Sequence, residues 1–168
     1  MAIGHRYFHA SNRSYNIVSE KPPSDGSGIS YMSLTIGVPR EVFQNERRVA
    51  LTPQNVSLLL KKGFGQVLVE RNAGVEAQFL DEHYVAAGAK LVSQDELYRS
   101  SNIMLKVRPP LGQEVELLKE QTTVISFLYP VQNKSIVDTL ATRKVNAFAV
   151  RLPFLVQTIL KWVMIGKY

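Results

Sequence analysis

Apolar and polar positions alternate along the middle of the chain in a way that predicts strands separated by helices. Six short runs rich in apolar and β-branched residues have the length of buried strands. They cover residues 34–38, 66–70, 89–92, 102–107, 122–128 and 145–150. Apolar residues between these runs recur at helical spacing, which predicts helices over residues 52–62, 81–87, 114–120 and 132–142 and a short helix after Ser93.

Local signals support several of these boundaries. Thr52 precedes Pro53, so a hydroxyl group can cap the first turn while proline, which has no N–H to leave unpaired, occupies the first helical position. Gly63 is a normal signal for the end of a helix. Ser93 followed by Glu96 has the pattern of a capping box, in which each residue's side chain bonds the other's backbone N–H.

This alternation predicts a single α/β domain with a doubly wound, mostly parallel sheet and helices on both faces, a flavodoxin-like or Rossmann-like half. Because parallel crossovers are right-handed, the loops that follow the strands should gather at one edge of the sheet. Ligands of open α/β sheets bind outside that edge. The loop after the first strand is either a ligand loop or a solvated connection with ordinary surface charge, and it carries Arg40, Glu41, Glu46, Arg47 and Arg48.

Composition and charge narrow the function classes. The absence of cysteine among the 168 residues excludes disulfides, thiolate metal ligands and a cysteine nucleophile. The net charge of +6 is concentrated at the ends of the chain, since residues 33–149 hold 14 basic and 12 acidic side chains. No basic stripe interleaved with aromatic residues appears, so we expect no nucleic-acid partner.

The two ends of the chain differ from the middle. Residues 1–32 lack apolar periodicity and are rich in serine, glycine and proline, which predicts either a disordered extension or a removable mitochondrial targeting segment. Residues 151–168 form an apolar run interrupted by Gln157 and Lys161, too short for a transmembrane helix. This segment favours a buried terminal helix, with a basic amphipathic helix on a membrane surface as the alternative.

Motifs for metals and dinucleotides are missing from the sequence. His5 and His9 lie in the N-terminal extension and His83 stands alone on a helical pattern, so no metal site is predicted. Gly63-Phe-Gly65 precedes a strand and lacks a third glycine, so it is interpreted as a helix stop and not as a phosphate cradle. The residues that would bind a cofactor therefore remain unknown.

Three side chains are predicted to share the carboxyl edge of the sheet. Arg48 follows the first strand, Lys106 ends the strand at 102–107, and Tyr129 follows the strand at 122–128. Two cations at converging strand ends form a candidate anion site, in which arginine grips a carboxylate or phosphate with two donors and lysine acts as a point charge. The alternative is salt bridging within the protein, for instance of Arg48 with Glu46 or of Lys106 with a neighbouring carboxylate.

The sequence also resembles a known family. Val-Pro-Arg-Glu at 38–41 and Asn-Glu-Arg-Arg-Val-Ala-Leu-Thr-Pro at 45–53 are similar to the opening of the alanine dehydrogenase and pyridine nucleotide transhydrogenase N-terminal domain. The similarity continues in order through residues 61–64, 70–74, 83–89, 105–109 and 125–130. It covers roughly residues 34–149, so residues 33–150 are interpreted as one domain of this family. Residues 151–168 do not resemble it, which suggests an alternative transcript or a mis-predicted exon end.

The resemblance gives the three candidate residues specific roles. Alanine dehydrogenases place an arginine and a lysine that bind the substrate carboxylate at the positions of Arg48 and Lys106. The position of Tyr129 resembles that of their histidine general acid/base. Oxidation of an amino acid releases a proton as well as a hydride, whereas tyrosine ordinarily has a pKa near 10 and suits that task poorly. Hydride transfer between two nicotinamides has no such requirement, so Tyr129 favours the transhydrogenase branch.

The resemblance therefore implies the N-terminal part of a proton-translocating NAD(P) transhydrogenase, with NAD and NADP as cofactors. Its partners would be the remaining transhydrogenase domains or subunits, in an intact enzyme that is a homodimer. The location would be the matrix side of the mitochondrial inner membrane if residues 1–32 are a transit segment, and otherwise the cytoplasmic face of a bacterial-type membrane. We expect these residues alone to be inactive. The alternatives are an alanine dehydrogenase-like fragment, a non-catalytic half-domain that binds a full-length partner, and a non-functional product.

Overall fold

The structure is a computed structural model and describes residues 30–150. Within this range the chain forms one sheet of six strands, all parallel to their neighbours. The strands are β1 Thr35–Val38, β2 Gln66–Glu70, β3 Lys90–Val92, β4 Ile103–Leu105, β5 Thr123–Ser126 and β6 Asn146–Ala149. Their spatial order is β3-β2-β1-β4-β5-β6, which is the order of Rossmann-type domains.

Five α-helices connect the strands of the described range. They are α1 Pro53–Lys61, α2 Asp81–Ala86, α3 Gln94–Ser100, α4 Gly112–Leu117 and α5 Lys134–Thr142, and short 3₁₀ turns lie at Tyr31–Ser33 and Val75–Ala77. The predicted start of α1 is confirmed, because the Thr52 hydroxyl accepts the N–H of Asn55 and Pro53 is the first helical residue. His83 serves a local purpose, since its Nδ1 accepts the N–H of Leu80 at the start of α2.

Alternate strand residues divide the core between the two faces of the sheet. Val67 and Val69 of β2 pack on one face in a cluster that includes Val56 of α1 and Tyr84 of α2. Leu68 points to the opposite face. There the cluster includes Met104, Val124, Leu97, Tyr98, Val115 and Leu140, from β4, β5 and helices α3 to α5. The predicted doubly wound fold is therefore confirmed.

Helix α3 lies close to the middle of the sheet because β1 carries a glycine there. A Cβ atom at Gly37 would overlap the side chain of Ser101, which follows α3, and would press on Leu97. Ser101 and Leu97 are both fully buried. The absence of a side chain at Gly37 thus sets the distance between β1 and the helix above it.

Every strand and helix predicted within residues 30–150 is present, and the differences lie at the ends of these elements. Helix α4 was predicted over residues 114–120 but occupies Gly112–Leu117, because the Glu114 carboxylate accepts the N–H of Leu111 and starts the helix earlier. Half of the predicted capping box forms: Ser93 accepts the N–H of Glu96, while the Glu96 carboxylate pairs with Lys90 instead. The expectations for residues 1–29 and 151–168 lie outside the described residues.

The strand order fixes where a ligand site would be. β1 lies between β2 and β4. The connection after β1 therefore leads to β2 on one side of β1, and the chain later returns to form β4 on the other side of β1. Loops after β1 and β4 therefore diverge and leave a crevice at their carboxyl ends, which is the usual ligand position in such sheets.

Candidate functional site

The loop between β1 and α1 forms one wall of this crevice. It turns sharply at Phe43, whose carbonyl accepts the N–H of Glu46, and Asn45 adopts the left-handed conformation with φ of 62°. Asparagine tolerates this conformation better than most residues. The turn directs Glu46 and Arg48 back toward the sheet edge.

Lys106 follows β4 directly and is the one buried cation among residues 30–150. Its Nζ lies 2.8 Å from Glu114 Oε1 and 3.4 Å from Glu41 Oε2. The hydroxyl of Tyr98 donates to the same Glu114 oxygen at 2.8 Å. Pairing compensates the cost of burying the ammonium group, which would be several kcal/mol for an ion left alone.

Glu41 connects the loop after β1 to the segment after β4. Its carboxylate accepts the N–H of Val107 at 2.6 Å and that of Arg108 at 3.3 Å, in addition to its contact with Lys106. Burial raises the pKa of the Glu41 carboxyl group, and the charge of Lys106 and the two backbone donors act in the opposite direction. The crevice at the switch point is therefore filled by a carboxylate of the protein itself.

Glu46 is held between two arginines. Arg48 donates to it through Nε and Nη2, both at 2.7 Å, and Arg108 donates through Nε at 2.6 Å. The hydrogen bonds from Arg48 lower the pKa of Glu46 to about 2. Arg108 also stacks over the ring of Phe43, 5.0 Å from the ring centroid, which fixes the loop against the segment after β4.

The ion pair with Glu46 leaves part of the Arg48 guanidinium available. A guanidinium has five donors, and Glu46 takes two of them from the Nε side. The Arg48 side chain remains 53% exposed and lines a cavity of about 310 Å³. That cavity is also lined by Arg40, Glu41, Val42, Glu46, Ala73 and Glu76. Glu46 thus orients Arg48 and leaves the other guanidinium N–H donors outside this ion pair.

Tyr129 lies three residues beyond β5 and has an unusual backbone conformation. Its φ of 45° is in the left-handed region, which is costly for a bulky residue and is held here by Asn133. The backbone N–H of Asn133 donates to the Tyr129 carbonyl, and its side-chain amide donates to the Leu128 carbonyl. The Tyr129 side chain is partly exposed beside a smaller cavity of about 120 Å³ that Phe43 and Arg108 also line.

The structure places Arg48, Lys106 and Tyr129 at the same edge, but in different environments. The hydrogen bond with Glu46 raises the pKa of Arg48. Tyr129 lines the smaller cavity together with Phe43 and Arg108. Lys106, by contrast, is buried behind Glu41 and is not among the residues that line the cavity of about 310 Å³. The salt bridges considered as an alternative are present for both cations, at Glu46 and at Glu114 with Glu41. The ligand-binding roles of Arg48 and Lys106 stay predictions.

Sequence reasoning missed Tyr98, Arg108 and Glu114 as parts of this network. Glu114 is eight residues from Lys106 in sequence, and its position near a predicted helix start was the one available signal. The described residues contain no group of three or more histidine, cysteine or acidic side chains that could hold a metal ion. None of the helices within 30–150 has the length and apolar character needed to cross a membrane.

The parallel sheet of Rossmann order, with charged groups gathered at its switch point, defines a doubly wound α/β domain of the kind that binds ligands outside the carboxyl ends of its strands. Residues 37–152 match the family model for the alanine dehydrogenase/PNT N-terminal domain, and the chain belongs to this family.

Relatives from both branches of the family are similar to this chain. The NAD(P) transhydrogenase subunit alpha of Haemophilus influenzae is 40% identical over 116 residues, which are 69% of this chain and 22% of that protein. The alanine dehydrogenase of Methanococcus maripaludis is 35% identical over 117 residues, 69% of this chain and 31% of that protein. The chain therefore spans between a fifth and a third of these relatives.

Solved structures from both branches share the fold. A transhydrogenase from Sinorhizobium meliloti superposes with a TM-score of 0.65 at 30% identity, covering 68% of this chain and 33% of that one. An L-alanine dehydrogenase superposes with a TM-score of 0.67 at 33% identity, covering 71% and 34% respectively. The family thus comprises oxidoreductases, and fold similarity alone does not separate its branches.

Proposed function

We propose that this domain forms the N-terminal part of an NAD(P) transhydrogenase, an enzyme that transfers hydride between NAD(H) and NADP(H). The domain contributes an anion-binding wall at the nicotinamide side of the active site, with Arg48 and Lys106 as its cations. The nucleotides would be held mainly by further domains, and the same enzyme would translocate protons through a membrane segment. By itself the domain is inactive.

The observation that carries the proposal is the orientation of Arg48. Glu46 and Arg108 fix the loop, and Glu46 holds the Nε side of Arg48, whose side chain lines the cavity of about 310 Å³. A carboxylate, carboxamide or phosphate oxygen in this cavity would meet a pre-oriented donor and would not have to order a flexible side chain.

Tyr129 supports the transhydrogenase branch over alanine dehydrogenase. A residue that accepts the proton of an amino acid must titrate near neutral pH, as histidine does. Direct hydride transfer requires that the two nicotinamide rings be aligned, and it requires no proton transfer. A tyrosine whose backbone is held in a constrained turn is suited to aligning a bound ring. The higher identity to the transhydrogenase subunit points the same way.

A domain exchange tests this proposal. Residues 37–149 of this chain would replace the matching segment of the Haemophilus influenzae transhydrogenase alpha subunit, and separately that of the Methanococcus maripaludis alanine dehydrogenase. We expect the first chimera to transfer hydride between NADH and an NADP analogue. We expect the second to oxidise alanine about 10²–10⁴-fold more slowly than its parent, because it lacks an acid/base. Restoration of the second chimera by Tyr129→His would identify that cause.

Two controls make the exchange decisive. Arg48→Ala should abolish activity of the first chimera, whereas Arg47→Ala, at an exposed neighbouring arginine, should leave it near the unmodified rate. Thermal unfolding of each chimera separates loss of function from loss of fold. An active alanine dehydrogenase chimera that retains Tyr129, together with an inactive but folded transhydrogenase chimera, would refute the proposal.

A further inference from the structure

One face of the sheet carries helices over only part of its width. The apolar cluster on this face takes its helical side chains from α1 and α2, which connect β1, β2 and β3. Helices α3, α4 and α5, which lead to β4, β5 and β6, contribute to the cluster on the opposite face. Within residues 30–150, therefore, no connecting helix lies over β4, β5 and β6 on the face that carries α1.

This part of the sheet, the outer half of the α1 face, is formed by the strands β4 to β6 and carries apolar side chains. Ile103 of β4 and Ile125 of β5 pack against the cluster on this face and remain partly exposed. The register places Phe148 of β6 beside Ile125, so its side chain projects from the same face. All four residues of β6 are exposed. Because an apolar sheet face is stable when a second layer packs on it, the outer half is a docking surface.

The handedness of the connections predicts which segment reaches this surface. The steps from β1 to β2 and β3 run in one direction across the sheet, and their helices lie on the α1 face. The steps from β3 to β4, β5 and β6 run in the other direction, and their helices lie on the opposite face. A segment that follows β6 and folds back across the sheet reverses direction again. A right-handed connection would therefore place it on the α1 face, over β6, β5 and β4.

Residues 151–168 follow β6 directly. The pairing of β6 extends to Val150, whose N–H donates to the last residue of β5. After Val150 the sequence has apolar residues at helical spacing, at Leu152, Leu155, Val156, Ile159 and Val163. The polar residues of the same stretch fall together on the other side of such a helix, at Gln157, Thr158 and Lys161. The segment contains no acidic residue, so its docking would bury no carboxylate.

The dimensions of a helix fit the surface. A helix of 18 residues is about 27 Å long and about 10 Å wide. Neighbouring strands are about 4.8 Å apart, so β4, β5 and β6 together span about 10 Å between the outer two. One helix is therefore wide enough to cover the outer half and long enough to follow its strands from end to end.

We propose that residues 151–168 pack as an amphipathic helix on the outer half of the α1 face, with Ile159 and Val163 toward Ile125 and Phe148. The inference goes beyond the proposed function and does not depend on it. It gives a segment that does not resemble the family the role of completing the second layer of this sheet.

Fluorescence of the full 168-residue chain tests the contact. Trp162 is the one tryptophan of the sequence and lies in the segment, and the absence of cysteine allows one position to be labelled at a time. Asn146 is exposed at the start of β6 and is two residues from Phe148, so it lies on the α1 face. A nitroxide attached to Asn146→Cys should quench Trp162, relative to a diamagnetic label at the same position. The matched nitroxide on Thr139→Cys, an exposed position of α5 on the opposite face, should leave Trp162 unquenched.

A pair of substitutions in the segment tests the same contact without a label. Ile159→Asp puts a charge on the apolar side of the helix, so the emission of Trp162 should shift to longer wavelength and the urea midpoint should fall. Thr158→Asp adds the same charge on the polar side and should leave both quantities near the wild type.

The two labels leave residues 151–168 unchanged, so they test the contact even where Ile159→Asp does not fold. Equal quenching from the labels at 146 and 139, or equal effects of the two aspartate substitutions in folded chains, would overturn the inference. Quenching that grows with protein concentration would assign the surface to a second copy of the chain and would overturn it as well.

Discussion

Two glutamates at the carboxyl edge of the sheet have pKa values that are shifted in opposite directions. Arg48 lowers the pKa of Glu46 to about 2, whereas burial raises the pKa of Glu70, whose carboxylate accepts the N–H of Arg40. The difference arises from their neighbours: Glu46 has two guanidinium groups, and Glu70 has a backbone donor in a half-buried position. The two residues should therefore respond to pH with opposite sign.

Glu46→Gln should destabilise the domain at neutral pH by about 1.5–3 kcal/mol, the usual contribution of hydrogen bonds to a charged group. Because the pKa of Glu46 is about 2 in the folded state against 4.5 for a free side chain, its contribution is complete above pH 4.5 and is lost as pH falls toward 2. Urea unfolding at pH 7, 5, 4 and 3 would measure this. A difference from the wild type that stays constant down to pH 3 would contradict it.

Glu70→Gln should show the reverse trend. A raised carboxyl pKa means that the folded state binds the proton more tightly than the unfolded state, so ionisation of Glu70 opposes folding as pH rises above 4.5. The free energy of unfolding of the variant, relative to the wild type, should therefore increase between pH 4 and pH 7. The same urea series measures it, and an unchanged or falling relative stability would refute the assigned cause.

At the scale of elements, the packing of α3 on β1 depends on one missing side chain. Gly37 allows Ser101 and Leu97 to approach the strand, and the sheet register places β4 directly beside it. Since Lys106 follows β4 and Glu41 follows β1, a change in this packing would move both ends of the crevice. The site therefore depends on a contact in the middle of the sheet.

Gly37→Ala should lower the free energy of unfolding by about 1–3 kcal/mol, as overpacking of a buried site does. Gly112 is the matched control, because a Cβ there meets nothing within 4 Å and the residue lies in α4. Gly112→Ala should leave stability unchanged or raise it by up to about 1 kcal/mol through helix propensity. Urea midpoints of the two variants compare them directly, and equal effects would contradict the packing argument.

At the scale of the whole molecule, the topology is that of a nucleotide-binding fold, but its switch point is filled by charged side chains of the protein. In the Rossmann fingerprint three glycines allow the backbone to approach a pyrophosphate, and no such motif follows β1 here. Glu41 and Lys106 occupy the crevice instead. Under the proposed function, the nucleotides would therefore be held by further domains.

The 168-residue chain should not bind NADH with micromolar affinity. The physical reason is the missing glycine cradle at the end of β1. Isothermal titration calorimetry with the intact chain tests this, with the Haemophilus influenzae transhydrogenase alpha subunit measured alongside it as the comparison. A dissociation constant in the micromolar range for this chain would require a nucleotide site of another kind.

The sequence by itself determined the elements and part of the site. Periodicity and capping residues such as Thr52 and Pro53 act within a few positions, so strands, helices and fold class could be predicted from local pattern. Arg48 and Glu46 are two residues apart, so the sequence predicts their pairing as the alternative to ligand binding. End residues of α4 were missed because a side chain, Glu114, sets the helix start.

Tertiary structure alone decided which charges distant in the sequence meet. Glu41 reaches the N–H of Val107, 66 residues away, because β1 and β4 are neighbours in space and not in sequence. Lys106 is enclosed by side chains from three segments, and no spacing along the chain encodes that enclosure. Strand order depends on the packing of the whole sheet, so the sequence could predict the edge where the cations lie but not the carboxylate that stands between Lys106 and the cavity.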